Sequence, residues 1–159
     1  MKKLYIAFML IFVLIMNVSV FAAPDTVAAD AASTAHDLIV ITNPQNQKDS
    51  TFDPSYIVSG YGCEGATVTL YRLNESENVY KKIFNAAVYV DASGASQTAY
   101  KEATVTIGAS GLFMNTISLN QGANHILVRA EHGGKVQLMK LSVTKYNYSL
   151  FDIIKALTN

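Results

Sequence analysis

Residues 117–134, "ISLNQGANHILVRAEHGG", gather the side chains best suited to chemistry. They hold His125, Glu131 and His132, two of the chain's three histidines with a carboxylate between them. Imidazole and carboxylate groups ligate zinc and move protons. Whether these three can act together depends on the element that carries them. Residues 124–131, "NHILVRAE", have the composition of a strand, and Gly133-Gly134 suits a two-residue hairpin turn, which needs positive φ. With that turn, Ala130 faces Gln137, Val128 faces Met139, Ile126 faces Leu141 and Asn124 faces Val143. This face is largely apolar. The other face carries Glu131, Arg129 with Leu138, Leu127 with Lys140, and His125 with Ser142. A slip of one residue would destroy the sorting. A strand rises about 3.3 Å per residue, so His125 and Glu131 lie roughly 20 Å apart. They cannot share a zinc, whose ligands sit about 2 Å away. His132 lies further along, at the turn, and His36 is remote in sequence. No catalytic, cofactor-binding or metal-ligating residue is assigned.

Other motifs point the same way. The sequence has no G-x-S-x-G, H-E-x-x-H, C-x-x-C or glycine-rich phosphate loop. "NESEN" (74–78) and "QNQKDSTFD" (45–53) offer oxygen ligands, but not in the order of a calcium loop. "NES" (74–76) and "NYS" (147–149) match glycosylation acceptors. Tyr56, Tyr61, Tyr71, Tyr80, Tyr89 and Tyr100 cluster mid-chain. They suit half-buried strands, and exposed rings among them could stack on sugars or anchor a protein. The absence of tryptophan weakens the sugar reading.

The ends carry different signals. Met1-Lys2-Lys3, an apolar run over 4–16 and Ala22-Ala23 form the layout of a secretory signal peptide, assigned to 1–23. The run is short for a membrane span, and no later stretch could supply one. Removing the signal leaves 10 basic against 12 acidic side chains, a net of −2. A near-neutral chain without basic clusters has no electrostatic footprint for nucleic acid. Cys63 is the sole cysteine, so an internal disulfide is impossible and the core must hold the domain. It reads as a partly buried thiol acting as a small hydrophobe, or as one half of an intermolecular disulfide. Residues 149–159, "SLFDIIKALTN", place Leu150, Phe151, Ile153, Ile154 and Leu157 at helical spacing. A short amphipathic helix is expected there, covering an end of its own domain or docking into a partner or second copy.

Between the ends, residues 24–37 read as a flexible leader and 38–148 as one β-domain. Strands are expected at 37–42, 56–61, 67–73, 79–90 (one or two), 103–107, 112–119, 124–131 and 136–146. Residues 43–54 read as a loop, and 91–102 as a loop or a weak turn of helix. Short strands at this spacing, without long helical patterns, indicate an all-β sandwich or barrel.

Three stretches resemble the immunoglobulin-like domains of exported and cell-surface bacterial proteins. They are "YIVSGYGCEGATVTLYRL", "ASGLFMNTISLNQGANHILVRA" and the closing "VQLMKLSVTKY". The series Leu119, Gly122, Asn124, Ile126, Val128, Ala130 carries most of the likeness. Gly122 permits a sharp turn and Asn124 can cap loop backbone with its amide. The segment 79–102 is longer than such a domain needs, and the Cys…Trp…Cys pattern of antibody domains is missing. The resemblance implies an immunoglobulin-like antiparallel β-sandwich, without choosing an activity. The expected function is a non-catalytic, secreted binding or spacer domain at the cell surface or in the extracellular matrix. Its partner is a protein or a polysaccharide, and self-association through Cys63 or the C-terminal segment is open. The alternative is a small carbohydrate-binding protein that uses exposed tyrosines.

Overall fold

The computed structural model describes residues 22–147. The assigned signal segment, apart from Ala22 and Ala23, and the amphipathic segment 149–159 lie outside them. The described residues form strands β1 (Thr26–Ala28), β2 (Ile39–Asn43), β3 (Lys48–Thr51), β4 (Ser55–Gly62), β5 (Thr67–Asn74) and β6 (Val79–Lys82). They continue with β7 (Phe84–Val90), β8 (Ser96–Glu102), β9 (Thr104–Thr106), β10 (Leu112–Ser118), β11 (Gly122–His132) and β12 (Lys135–Lys145). No helix occurs among the described residues. The fold is all-β, as the spacing of β-type runs and turn residues indicates.

The larger sheet has the order β1-β6-β5-β11-β12-β3, with β9 also paired to β5. The smaller has the order β10-β4-β2, and β7 with β8 forms a separate hairpin. All pairs are antiparallel except β12 with β3. One core joins the two sheets in a sandwich-like arrangement. Val58, Phe113, Ile117, Ile39 and Ile41 come to it from the smaller sheet. Val68, Leu70, Ile126, Val128, Ala130, Leu141 and Val143 come from the larger. Alternation produces this split: on β10, Phe113 and Ile117 are buried while Leu112, Met114 and Thr116 are exposed.

The β11–β12 hairpin has the expected register, Ala130 to Gln137, Val128 to Met139, Ile126 to Leu141 and Asn124 to Val143. Gly133 and Gly134 form its turn, both with positive φ. Asn124 caps the preceding loop as its amide suggests. Its Oδ1 accepts from the Asn120 N–H at 2.9 Å, and its Nδ2 donates to the carbonyls of Asn120 and Gly122. Buried Gln137 stands opposite Ala130 on the core face. Its Oε1 accepts the N–H groups of Leu38 and Ile39 at 2.8 and 2.9 Å, and its Nε2 donates to the Ile39 carbonyl. One side chain of the larger sheet thereby satisfies the free edge of β2, which would otherwise carry buried, unpaired backbone groups.

Several sequence readings are corrected. Residues 24–37 are not a flexible leader: Thr26–Ala28 pairs with β6, and Val27 is buried. Ser33 and Thr34 exchange hydrogen bonds with β12 at Leu138 and Val136. This segment covers the face of the larger sheet that points away from the main core. There Val27, Tyr71, Tyr80 and Leu127 form a second buried cluster. Leu127, assigned above to an outer face, is therefore only 1% exposed. The loop 43–54 contains β3, held parallel to β12 by four residue pairs. The loop 91–102 contains β8, and the segment 79–90 divides into β6 and β7. The division falls where Ile83 and Ala103 share Leu70 on β5, so the chain leaves the sheet as a hairpin and returns as β9.

Candidate functional site

The candidate catalytic residues do not converge. His125 faces Ser142 and Glu131 faces Val136, six residues along the same strand. The Glu131 carboxylate is paired with the Arg129 guanidinium beside it. His132 opposes Lys135 at the turn and stands against Gly65. His36 is exposed. Among the described residues no three His, Cys, Asp or Glu side chains could together hold a metal ion. Cys63 is exposed, with its Sγ 3.8 Å from the Asp37 carbonyl oxygen, so the reading as a partly buried hydrophobe is corrected.

The oxygen-rich loops are knitted internally. In 74–78, Ser76 donates to Asn74, Asn74 donates to Glu77, and Glu77 pairs with Lys81. In 45–53, the Asp49 carboxylate accepts the Tyr56 hydroxyl at 2.6 Å and the Ser50 N–H. These bonds hold the Asp49 carboxyl below its ordinary range. Burial, then the Asp49 bond, pushes the Tyr56 phenol upward.

The tyrosines divide sharply. Tyr56, Tyr71 and Tyr80 are buried, and the Tyr71 hydroxyl donates to the Pro24 carbonyl at 2.8 Å. Burial raises the Tyr71 phenol to about 12. Tyr61 and Tyr100 are exposed, on different sheets. The side chain of Tyr89 lies outside what the structure describes.

Among the described residues, the exposed apolar side chains outside the Phe52–Tyr146 ring pair, whose centroids are 5.9 Å apart, form two surfaces. The first is the outward face of β10-β4-β2. Leu112, Tyr61 and Val40 stand in one row across the three strands, with Leu112 opposite Tyr61 and Val40 opposite Tyr61. Met114 and Ile57 extend the patch toward the other end. All five are exposed, Leu112 and Met114 by about two thirds. The remaining outward positions are Thr42, Ser55, Ser59, Thr116 and Ser118, so the face carries no charge. A hollow of about 360 Å³ lies among Thr42, Ser59, Gly60, Leu112, Phe113 and Met114. Gly60 keeps the strands close beneath it: a Cβ there would stand 2.1 Å from the Val40 carbonyl oxygen. Solvated sheet faces normally alternate apolar-in with polar-out, and this one does not. Such a patch marks a contact surface. The signal was present in the sequence as apolar residues in both phases of "LFMNTIS" and "YIVSGY". Reading it required knowing which phase faces the core.

The second surface is the β7–β8 hairpin, where Phe84, Val88, Val90 and Tyr100 are exposed, Tyr100 by 73%. It is anchored at its base by Asn85, whose Nδ2 donates to the Thr116 carbonyl at 2.6 Å. Lys82 lies beneath it, buried, with its ammonium 2.8 Å from the Ala23 carbonyl and 3.1 and 3.2 Å from the Asp25 and Glu102 carboxylates.

No protein-family model matches the chain, and no curated protein matches its sequence.

Proposed function

We propose that this chain is an exported, non-catalytic binding domain of immunoglobulin-like type, acting at the bacterial cell surface or in the extracellular matrix. Its contact surface is the outward face of β10-β4-β2, and its partner is a protein. The observation that carries this reading is the charge-free face bearing Val40, Ile57, Tyr61, Leu112 and Met114. The charged N-region and apolar run support export, and the series from Leu119 to Ala130 supports the immunoglobulin-like type. The scattered histidines and the internally bonded carboxylates favour binding over catalysis.

A flat face with one central tyrosine ring flanked by aliphatic side chains suits a protein partner, whose interfaces are enriched in aromatic residues and methionine. The carbohydrate alternative rests on Tyr61 alone on this face, with Tyr100 on a separate sheet. A photo-crosslinking residue placed at Met114 in the exported protein tests the proposal, with Lys140 on the larger sheet as the control position. The expected result is a discrete protein adduct from position 114 only, lost when Leu112→Glu is added. Equal labelling from both positions, or none, sinks the reading. Polysaccharide retention that disappears in Tyr61→Ala would select the carbohydrate alternative.

A further inference from the structure

The β7–β8 hairpin poses a separate question. Among the described residues its only strand pairing is β7 with β8, and an isolated two-stranded hairpin is at best marginally stable. The pairing follows one register from Phe84–Glu102 to Val90–Ser96. Beyond its end the Asp91 N–H donates to the Ala95 carbonyl, and at its base the Ala103 N–H donates to the Ile83 carbonyl. Both bonds belong to odd-numbered residues of the first strand. The odd residues therefore direct their backbone groups at β8. The even residues Phe84, Ala86, Val88 and Val90 direct theirs at the open edge. Among the described residues no backbone group pairs with that edge.

The two edges of the hairpin differ in charge. Strand β8 carries Lys101 and Glu102, the kind of side chain that protects an edge from further pairing. Strand β7, "FNAAVYV", carries no charge and no proline. An uncharged, β-prone open edge is a template for another strand.

We propose that β7 pairs antiparallel with β7 of a second copy of this chain, with Ala87 on the two-fold axis. In that register Phe84 faces Val90 of the second copy and Ala86 faces Val88. Each residue with open backbone groups then meets another with open backbone groups. No charge faces a charge across the junction. Phe84, Ala86, Val88 and Val90 of both copies fall on one side, flanked by both Tyr100 rings. The product is a four-stranded sheet, β8-β7-β7-β8, in which neither β7 edge stays open. The closed two-fold arrangement stops at two copies. A single strand pair lies at the small end of specific interfaces, below roughly 1,200 Å², so the dimer depends on concentration. This proposal does not rest on the β10-β4-β2 face, which belongs to another sheet.

Light scattering on the full protein, with and without substitutions at the exposed Ala87, tests it. The wild type should show twice the monomer mass at high concentration and the monomer mass on dilution. Ala87→Lys sets two ammonium groups opposite each other on the axis and should be monomeric throughout. Ala87→Glu should be monomeric for the same reason. An equimolar mixture of the two should recover the doubled mass. Melting temperatures matching the wild type in dilute solution show that both variants fold. A wild type that stays monomeric at every concentration overturns the proposal, as does either variant that associates like the wild type. A mixture that fails to reassociate overturns the placement of Ala87 on the axis.

Discussion

Two side chains show how much a single residue does here. Gln137 closes the edge of β2 with three hydrogen bonds from a buried amide. In Gln137→Leu the N–H groups of Leu38 and Ile39 lose their acceptor inside the protein. An unsatisfied buried donor costs about 1–3 kcal/mol. Denaturant unfolding should show a loss of about 2–4 kcal/mol relative to wild type. Asp91 organises a turn at the surface. Its carboxylate accepts from the Ser93 hydroxyl, the Ala95 N–H, the Gln97 amide and the Ser93 N–H, which lowers its pKa to about 2. A carboxylate with a lowered folded-state pKa stabilises the turn above its ordinary range, near 4. That contribution is lost as pH falls toward about 2. The amide resonances of Ser93 and Ala95 should shift between these limits in wild type. In Asp91→Asn they should stay nearly constant over the same range.

At the scale of the element, the β11–β12 hairpin sets the frame for everything beside it. Its register places Val128 at 0% exposure and leaves His125 half-buried on the opposite face. Val128→Asp puts an unpaired carboxylate into the core and should cost at least about 4 kcal/mol, enough to unfold a marginal domain. His125→Ala should stay within about 1 kcal/mol. Similar melting temperatures for the two variants would contradict the register. The segment 24–35 behaves as part of the fold although its composition is poor in large apolar residues. It is held by the β1–β6 pairing, by Val27 against Tyr71, Tyr80 and Leu127, and by the bonds of Ser33 and Thr34 to β12. Amides of 26–28 should therefore exchange slowly with deuterium. Val27→Asp should release that protection and expose the segment to protease, while the β11 amides stay protected.

For the whole molecule, the described residues leave stability to packing: the one cysteine is free and exposed. Two buried clusters lie on opposite faces of the larger sheet, a main one under the smaller sheet and a lesser one under the N-terminal segment. Among the described residues the larger sheet is thus covered on both sides, while the smaller sheet is covered on one. That asymmetry leaves the Leu112–Tyr61–Val40 row as an open apolar face. Paired changes on this face that leave position 114 free, such as Leu112→Ser with Val40→Thr, remove exposed rather than buried area. They should leave the unfolding midpoint within about 0.5 kcal/mol of wild type. They should also abolish crosslinking at the face in the exported protein. A large stability loss would mean that the face is covered within the chain itself.

The sequence alone determined the features that depend on local periodicity and turn chemistry. The alternation in 124–131 and 136–143, with Gly133-Gly134 between them, specified the register of the central hairpin. The reason is that a side-chain period of two allows one sorting of apolar from polar. The same geometry, about 3.3 Å per residue along one strand, separates His125 from Glu131. Tertiary structure decided what depends on partners distant in sequence. Polar Lys48–Thr51 is a strand because the edge of β12 accepts it, and weakly apolar Thr26–Ala28 is a strand because β6 does. Leu127 is buried because a segment about a hundred residues earlier lies over it. Tyr56, Tyr71 and Tyr80 are buried while Tyr61 and Tyr100 are open, a distinction that residue type cannot carry. The contact face had the same origin. Apolar residues in both phases of a strand announce two apolar surfaces, and only the packing of one sheet on the other decides which of them meets water.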